Sequence, residues 1–251
     1  MVRVYVVAVS PFFDLRGFWL LDEERRARVL AYANVEDRAR CLLAGLLLRR
    51  FVDGKLSYGK NGKPYLARGG LHFNISHSGD YVVLATAESE IGIDIEKIAP
   101  YSAPVAERCF TPEEQLWLEL QNNDEAFYRL WCAKESVMKA LGTGFSMNPR
   151  SFSVLPQCMV AGQPWHLEWL LHEGHMICIA RADKDECIEI FDISKEFSYN
   201  LCGKTNTHTV YTHGAFLNRV KGVNSLVGCG DVPHDLDLTV EDLTMEVKKW
   251  Q

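Results

Sequence analysis

Two carboxylates interrupt the apolar stretch IGIDIEK, which covers residues 91–97. Side chains alternate along a strand, so the three isoleucines share one face while Asp94 and Glu96 share the other. Two negative charges this close raise each other's pKa unless a cation or a basic partner lies between them. The pair therefore indicates either a site that holds positive charge or an edge strand with a solvated acidic face.

A second set of chemically active side chains lies in FYRLWCAKESVMKALGTGF, residues 127–145. On a helix, Trp131, Glu135 and Lys139 are spaced by four residues and share a face, with Lys134 beside them. One interpretation is an ordinary surface ion pair on an amphipathic helix. If the helix instead packs on the polar face of the strand, Glu135 joins the two strand acids in a cluster of three carboxylates.

Such a cluster favours a particular metal. A few carboxylates that leave room for water or substrate suit Mg²⁺ bound together with a phosphate-containing substrate. Zinc is disfavoured because no His or Cys joins the cluster. The pair His172 and His175, in the sequence HEGH, has no further ligands beside it, and we interpret both as core or surface histidines.

Basic and polar side chains elsewhere are candidates for neutralising phosphate groups, Arg by a planar fork and Lys as a point charge. They are Arg40, Lys63, His77, Lys134 and Lys139. Each of them taken singly is also consistent with a solvated surface charge. No Walker A or GxGxxG loop is present, so side chains must hold any phosphate.

The stretch NISHSG at residues 74–79 allows two other interpretations. It fits a strand end followed by a turn, in which Ser76 and His77 bond local backbone groups. It also raises the alternative of a Ser–His hydrolase. Against the hydrolase, the sequence has no GxSxG elbow, and neighbouring side chains on a strand point apart.

Composition and charge narrow the class of protein. The formal net charge of −6 over 251 residues argues against general nucleic-acid binding, which depends on a basic surface. No uninterrupted apolar run of about 18 residues occurs, and the first residues lack the cleavage site of a signal peptide. We therefore expect a soluble, cytoplasmic protein. Residues 21–60 are relatively basic and residues 84–135 are acidic. This distribution suits an anionic ligand that is bound between a basic surface and an acidic surface that carries a metal ion.

Hydrophobic periodicity and capping signals predict the main elements. Strands are predicted at VRVYVVAVS, twice within LHFNISHSGDYVVLATA, and at IGIDIEK, SFSVL, WHLEWLLH and HMICIARA. One or two helices are predicted over residues 22–52. Thr111 as N-cap, Pro112 and a capping box with Glu114 begin another helix, and the next runs from Glu125 to about Leu141, ended by Gly142.

The order of strand, helices and strands occurs roughly twice, which predicts an α+β fold of two similar halves. The halves cover residues 1–97 and 98–194. Residues 195–251 form a C-terminal extension to which we assign no role, because their periodicity fades while Gly, Asn, Thr and His become frequent.

Four motifs together closely resemble the 4'-phosphopantetheinyl transferases of the surfactin-synthetase-activating type. They are GKP at 62–64, FNISHSG at 73–79, IGIDIEK at 91–97 and WCAKESVMKALG at 131–142. GKP alone is a weak pattern. In contrast, G-[IV]-D-x-E followed by W-x-x-K-E-[SA]-x-x-K is specific, and every position of it is filled here. The resemblance covers roughly residues 1–190.

The resemblance implies a monomer in which two α+β halves are related by a pseudo-twofold axis, with the active site in the cleft between them. It implies that Asp94, Glu96 and Glu135 ligate Mg²⁺. It also implies a set of side chains around coenzyme A, the donor substrate: Arg40, Lys63, Ser76, His77, Lys134 and Lys139.

By the same resemblance, the reaction moves the phosphopantetheine arm of coenzyme A to a serine hydroxyl of an apo acyl or peptidyl carrier protein and releases 3',5'-ADP. Glu135 is the candidate base for the serine proton, and Lys139 would offset charge on the leaving phosphate. Two alternatives stay open: a different Mg²⁺-dependent phosphotransferase or nuclease, and a non-catalytic module that docks carrier proteins. Neither a nucleic acid nor a membrane is expected as a partner.

Overall fold

The computed structural model of the protein describes residues 1–9, 15–195 and 209–212. Its helices are α1 (Glu23–Ala31), α2 (Val35–Phe51), α3 (Ala103–Cys109), α4 (Pro112–Gln121) and α5 (Asp124–Leu141). Its strands are β1 (Val2–Ala8), β2 (Leu56–Tyr58), β3 (Pro64–Leu66), β4 (His72–Ser78), β5 (Tyr81–Ala87), β6 (Ile91–Lys97), β7 (Cys158–Val160), β8 (Gln163–His172), β9 (His175–Arg181), β10 (Ile188–Asp192) and β11 (Thr209–Thr212). The predicted C-terminal extension lies outside the described residues apart from Lys195 and β11.

The strands form two main sheets and one small hairpin. The first sheet has the order β11-β10-β1-β5-β4, the second has the order β6-β9-β8-β7, and β2 pairs with β3. Strand β1 pairs with β10 in parallel, whereas the other pairings are antiparallel. The predicted mixed helix and sheet class is therefore confirmed. Among the described helices, none is both long and apolar enough to cross a membrane.

The two sheets pack against each other through aliphatic side chains. Alternate valines of β1 meet the three isoleucines of β6, and Ile177 and Ile179 of β9 complete this layer. The isoleucines Ile91, Ile93 and Ile95 are fully buried. Each fully buried isoleucine contributes about 2 kcal/mol relative to an exposed one. The layer therefore fixes the face of β6 that is opposite to its carboxylates.

Helices cover the outer faces of both sheets. On the first sheet, Leu43 and Leu47 of α2 pack against Val82 and Leu84 of β5. On the second sheet, α5 packs with its apolar side chains against the outward residues of β9, together with α3 and α4. The molecule is thus layered as helix, sheet, sheet and helix, and α5 lies on the face of β6 that carries the acids.

The predicted helix boundaries are confirmed in the region of α4 and α5. Thr111 caps α4 through a capping box with Glu114, and α5 ends at Gly142, whose φ of 65° suits glycine. The predicted strand at SFSVL is wrong. The backbone N–H of Val154 donates to a side-chain oxygen of Glu114 instead of to a neighbouring strand, and the chain enters β7 only at Cys158.

The sheets do not divide at the boundary predicted near residue 98. Strand β6, which precedes this boundary, pairs with β9 along its whole length, in the second sheet. Strand β10, which follows it, pairs with β1 in the first sheet. Each sheet therefore receives a strand from the other half of the chain, and this exchange ties the two halves together.

Strands β4 and β6 lie side by side where the two sheets meet, and side chains connect them. Three alternate residues of β4 point toward β6, and we call them the polar seam: Asn74, Ser76 and Ser78. The side-chain Oδ1 of Asn74 accepts a hydrogen bond of 2.9 Å from the buried backbone N–H of Ile93. The polar seam therefore supplies a hydrogen-bond partner for a backbone group that would otherwise pair with a neighbouring strand.

Gly92 allows α5 to lie directly on β6. A Cβ atom at this position would lie 1.9 Å from the backbone oxygen of Ser136 and 2.7 Å from the backbone nitrogen of Ala140. Both atoms belong to the helix backbone, so only a residue without a side chain permits this approach. The contact brings the next outward residue of the strand, Asp94, next to the helix.

We expect Gly92→Ala to lower the free energy of unfolding by about 3 kcal/mol or more, because the backbone atoms of α5 cannot rotate away from the new methyl group. Urea denaturation followed by circular dichroism measures this change. Gly59→Ala is the matched control, since a Cβ there meets only the carbonyl oxygen of Lys63, at 3.6 Å. Its stability should change by about 1 kcal/mol or less. Equal stability of the two variants would contradict the close contact.

Candidate active site

Asp94 is the centre of the candidate site and is only 1% exposed. Its Oδ1 accepts hydrogen bonds from Ser76 Oγ at 2.9 Å and from Lys139 Nζ at 2.5 Å. Its Oδ2 is buried and has no hydrogen-bond partner among the residues that the structure describes. This stretch does lie at the edge of its sheet, but the interpretation of its acidic face as solvated is wrong for Asp94. Helix α5 and the polar seam cover the acid on both sides.

Lys139 is the cation of the cluster. Besides Asp94, its ammonium contacts Ser76 Oγ at 2.8 Å. Burial by itself lowers the pKa of Lys139, but the carboxylates around it, Asp94 before Glu135 and Glu96, together outweigh this effect and the net pKa is raised. The ammonium thus stays charged at neutral pH. This ion pair joins the helix to the strand and is not formed within the helix. The interpretation of Lys139 as part of an ordinary ion pair on a helix surface is therefore wrong.

Glu96 lies two residues further along β6 and is partly buried. Its Oε2 accepts a hydrogen bond of 2.7 Å from Ser78 Oγ. Burial first, and the charge of Asp94 second, raise the pKa of Glu96, while hydrogen bonds from Ser78 and Trp131 offset part of the shift. Its carboxylate is therefore held in place although its neighbour repels it.

Glu135 lies one helical turn before Lys139 on α5 and is also partly buried. Burial first, and the charge of Asp94 second, raise its pKa to about 7, against the opposing effect of Lys139. Glu96 contributes a further increase. Glu135 is thus near enough to both strand acids to be influenced by their charges.

The predicted basic residues Arg40 and His77 lie at the end of β4. One nitrogen of the Arg40 guanidinium donates to the carbonyl oxygen of Gly79 and another to Asp37, both at 2.7 Å. Partial burial, followed by the charges of Lys139 and Arg40, lowers the pKa of His77. The basic groups of Arg40, His77 and Lys139 therefore lie near one another, on the side of the cluster where β4 ends.

Lys63 lies at the other end of the site, against the C-terminus of α5. Its Nζ donates to the carbonyl oxygen of Ala140 at 2.5 Å and to Glu90 at 3.3 Å. Nearby, the side-chain amide of Asn61 donates to the carbonyl oxygen of Gly142 at 2.9 Å. The GKP turn thus supplies donors to the last carbonyls of the helix, where positive charge is favourable.

The position of Lys134 contradicts the expectation that it binds the coenzyme. Its side chain is 1% exposed, and its Nζ lies 2.7 Å from Glu114 Oε2. The ammonium also donates to the backbone oxygens of Pro149, at 2.9 Å, and Phe152. All of these partners belong to α4 and the turns after α5, so Lys134 is a structural residue that joins these segments.

Sequence reasoning missed the role of two polar residues. Ser78 belongs to the recognised motif but was assigned no contact, although its spacing from Ser76 on the strand places both hydroxyls on one face. Glu114 was identified only as a capping residue, whereas it is also the partner of Lys134. For Ser76 the sequence predicts either a coenzyme or a local backbone contact, and in the structure its hydroxyl donates to Asp94.

The histidines of HEGH fit the prediction that they are core or surface residues. His175 is 1% exposed, and its Nδ1 is 2.9 Å from the carbonyl oxygen of Glu173. Both His172 and His175 lie with their ring edges against Tyr81. They contact the end of β5 and not the carboxylate cluster.

The carboxylates fit a divalent cation by their chemistry. In the part of the chain that the structure describes, no three His, Cys, Asp or Glu side chains converge as a ready metal site. However, the unpartnered Oδ2 of Asp94 is a buried charged acceptor that a cation would satisfy. Glu96 and Glu135 add hard oxygen ligands of the type that Mg²⁺ prefers. The cluster can therefore accept positive charge beyond that of Lys139.

Taken together, the site combines three kinds of group. It has carboxylates that suit a hard cation, a permanently charged ammonium, and an acid whose pKa lies near neutrality. Fixed charges of this kind stabilise the charge that develops when a phosphate ester is broken. An acid titrating near pH 7 is also well matched to accept a proton.

Two family models match the chain. The model described as the N-terminal part of 4'-phosphopantetheinyl transferase matches residues 15–89, and the model of the 4'-phosphopantetheinyl transferase superfamily matches residues 90–186. The two matches meet directly before β6. All of the site residues named in this subsection lie within these two matches.

Several curated proteins are similar along most of the chain. A 4'-phosphopantetheinyl transferase of Bacillus subtilis is 33% identical over 192 residues, which are 71% of this chain and 80% of that protein. The 4'-phosphopantetheinyl transferase gsp of Aneurinibacillus migulanus is 36% identical over 61% of this chain and 70% of its own length. The L-aminoadipate-semialdehyde dehydrogenase-phosphopantetheinyl transferase of Mus musculus is 34% identical over 68% of this chain and 66% of its own length. The chain therefore belongs to the 4'-phosphopantetheinyl transferase family and is an enzyme of that class.

Proposed function

We propose that the protein transfers the 4'-phosphopantetheine arm of coenzyme A to a serine hydroxyl of an apo acyl or peptidyl carrier protein, with Mg²⁺ as cofactor and 3',5'-ADP as the second product. The observation that carries the proposal is the buried carboxylate of Asp94, which is paired with Lys139 on one oxygen and, within the described part of the chain, has no partner on the other. The family membership gives this cluster its substrate class.

Asp94, Glu96 and Glu135 would hold Mg²⁺. Bound there, the ion would supply positive charge at the phosphates of the donor. Burial, together with repulsion from the neighbouring acids, raises the pKa values of Glu96 and Glu135. The repulsion supports this assignment, because a cation would relieve it. Lys139 already provides one positive charge and remains available to offset negative charge on the departing phosphate.

Arg40, Lys63, Ser76 and His77 would bind coenzyme A, together with Lys139. Arg40 and Lys63 now donate to backbone carbonyls, and phosphate oxygens are stronger acceptors than these because they carry charge. An exchange of partners on binding is therefore favourable. Lys134 is left out of this set because its ammonium is fully used in the interior.

Glu135 would take the proton of the carrier serine. A neutral serine is a weak nucleophile, so a base must accept its proton as the oxygen attacks phosphorus. Glu135 lies on the same helix face as Lys139, one turn away, so the base and the cation that stabilises the leaving group are held by one rigid element. The helix thus fixes their relative positions.

The setting of the reaction follows from the substrates. We place the enzyme in the cytoplasm as a monomer, with coenzyme A and a carrier protein as its partners and without nucleic acid or membrane. We also propose that residues 1–97 and 98–194 are pseudo-twofold related halves whose junction forms the substrate cleft. The ion pair between Asp94 of β6 and Lys139 of α5 supports this location, since it joins the two halves at the carboxylate cluster.

Intact-mass spectrometry tests the transfer itself. Incubation with coenzyme A, Mg²⁺ and an apo carrier protein should add one phosphopantetheine arm to the carrier, and EDTA should prevent it. Asp94→Asn should reduce the rate by at least about 10²-fold, because a metal ligand contributes several kcal/mol to transition-state stabilisation. Asp53→Asn, at an exposed carboxylate, should keep the full rate. The proposal is wrong if a panel of apo acyl and peptidyl carriers stays unmodified by the unaltered enzyme.

Glu135→Gln separates a base from a ligand role. The change keeps the size of the side chain and one oxygen but removes its basicity. A base role predicts near-normal affinity for Mg²⁺ and coenzyme A with kcat lower by roughly 10² to 10⁴-fold. Calorimetric titration of Mg²⁺ in the presence of coenzyme A, together with rates at saturating metal, measures both quantities. Full recovery of the rate at high Mg²⁺ would show that Glu135 is only a ligand.

The raised pKa of Glu135 predicts how stability depends on pH without metal. The folded state keeps its proton up to pH 7, whereas the unfolded chain loses it near pH 4.5, so the free energy of unfolding should fall as pH rises across this window. Glu135→Gln should match the unaltered protein at pH 4.5 and exceed it by on the order of 2 kcal/mol at pH 8. Urea denaturation in EDTA measures the difference. A difference that is independent of pH would refute the raised pKa.

A further inference from the structure

Ser78 makes two hydrogen bonds that fix the direction of its hydroxyl. Its Oγ donates to Glu96 Oε2 at 2.7 Å and accepts from the backbone N–H of Lys97 at 3.1 Å. A hydroxyl has a single hydrogen, and because the backbone N–H must be the donor in one bond, the hydrogen of Ser78 points at the carboxylate. The strand backbone thus aims the hydroxyl at Glu96.

Glu96 needs this contact more than the other acid of the strand does. Asp94 is short, fully buried, and held by two donors on one oxygen. Glu96 has one more rotatable bond and is only partly buried, and the neighbouring carboxylate repels it. Without Ser78, only the weaker contact with Trp131 opposes rotation of the Glu96 side chain toward solvent, where the charge is better hydrated.

The other members of the polar seam have different partners. Asn74 accepts a hydrogen bond from the backbone of Ile93, which joins the strands and does not touch an acid. Ser76 donates to Asp94, but Lys139 donates to the same oxygen. Of the two seam residues that donate to an acid, Ser78 is therefore the one whose hydrogen bond Lys139 does not duplicate on the same oxygen.

We propose that Ser78 is a positioning residue that holds Glu96 in the orientation in which it ligates Mg²⁺. This inference rests on the proposed function, because it takes Glu96 as a metal ligand. Ser78 itself touches neither the metal nor the substrates. Its hydroxyl lowers the cost of ordering the Glu96 side chain before the ion arrives, and hydrogen bonds to metal ligands commonly change metal affinity by about 10 to 100-fold.

The test compares Ser78→Ala with Ser78→Thr, which keeps the hydroxyl, and with Ser89→Ala. Ser89 is the matched control because its hydroxyl also donates to a glutamate, Glu186 Oε2 at 2.9 Å, away from the cluster. Three quantities are measured: the Mg²⁺ affinity in the presence of coenzyme A by calorimetry, the Mg²⁺ concentration at half-maximal transfer rate, and the melting temperature in EDTA.

We expect Ser78→Ala to weaken Mg²⁺ binding and raise the half-maximal Mg²⁺ concentration by about 10 to 100-fold. At saturating Mg²⁺ its kcat should recover to within about threefold, and its metal-free melting temperature should stay within about 3 °C. Ser78→Thr should restore most of the affinity, and Ser89→Ala should behave as the unaltered enzyme.

Unchanged Mg²⁺ affinity in Ser78→Ala overturns the proposal. So does a low kcat that high Mg²⁺ does not recover, or a large fall in melting temperature that Ser78→Thr shares, since both indicate a general structural role. If the unaltered protein binds Mg²⁺ with coenzyme A but modifies no carrier, the proposed function fails while the calorimetric comparison still decides the role of Ser78. If it binds no Mg²⁺, both are wrong.

Discussion

The site depends on one buried charge, the carboxylate of Asp94. Taking a charge out of water costs several kcal/mol unless an opposite charge and hydrogen bonds compensate for it. Lys139 and Ser76 compensate one oxygen, whereas no described residue is a partner of the other. Glu96 and Glu135 lie partly buried beside this carboxylate, and burial together with the charge of Asp94 raises their pKa values. The surrounding packing, and not the electrostatics of the metal-free cluster, therefore keeps these groups together.

That packing comes from three elements that meet at one place: β4, β6 and α5. Gly92 lets the helix backbone touch β6, and the polar seam joins β6 to β4 from the side. On its opposite face, β6 is anchored by isoleucines in the layer between the sheets. Proteins commonly accept locally unfavourable arrangements at functional sites and compensate for them elsewhere. Here the apolar layer supplies the stability that the acidic face lacks.

The two lysines of the helix motif show how α5 contributes both to the site and to the packing of the interior. Successive residues on a helix are separated by about 100°, so Lys134 and Lys139 point about 140° apart. Lys139 consequently faces the strand acids, while Lys134 enters the interior, where Glu114 and two carbonyls surround it. Removing either partner of that buried pair would leave an uncompensated charge. A motif lysine can thus be essential for the fold without touching substrate.

The sequence by itself determined the local elements and the chemistry of the site. Strand alternation placed the acids opposite the isoleucines, capping signals delimited α4 and α5, and motif spacing identified the family, because these properties depend on residues near one another in the chain. Only the tertiary structure decided their partners: Lys139 on Asp94, Ser78 on Glu96, and Lys134 in the interior. The first two partners are 45 and 18 residues apart. No local periodicity encodes contacts at such separations, since they arise only when the sheets and α5 pack together.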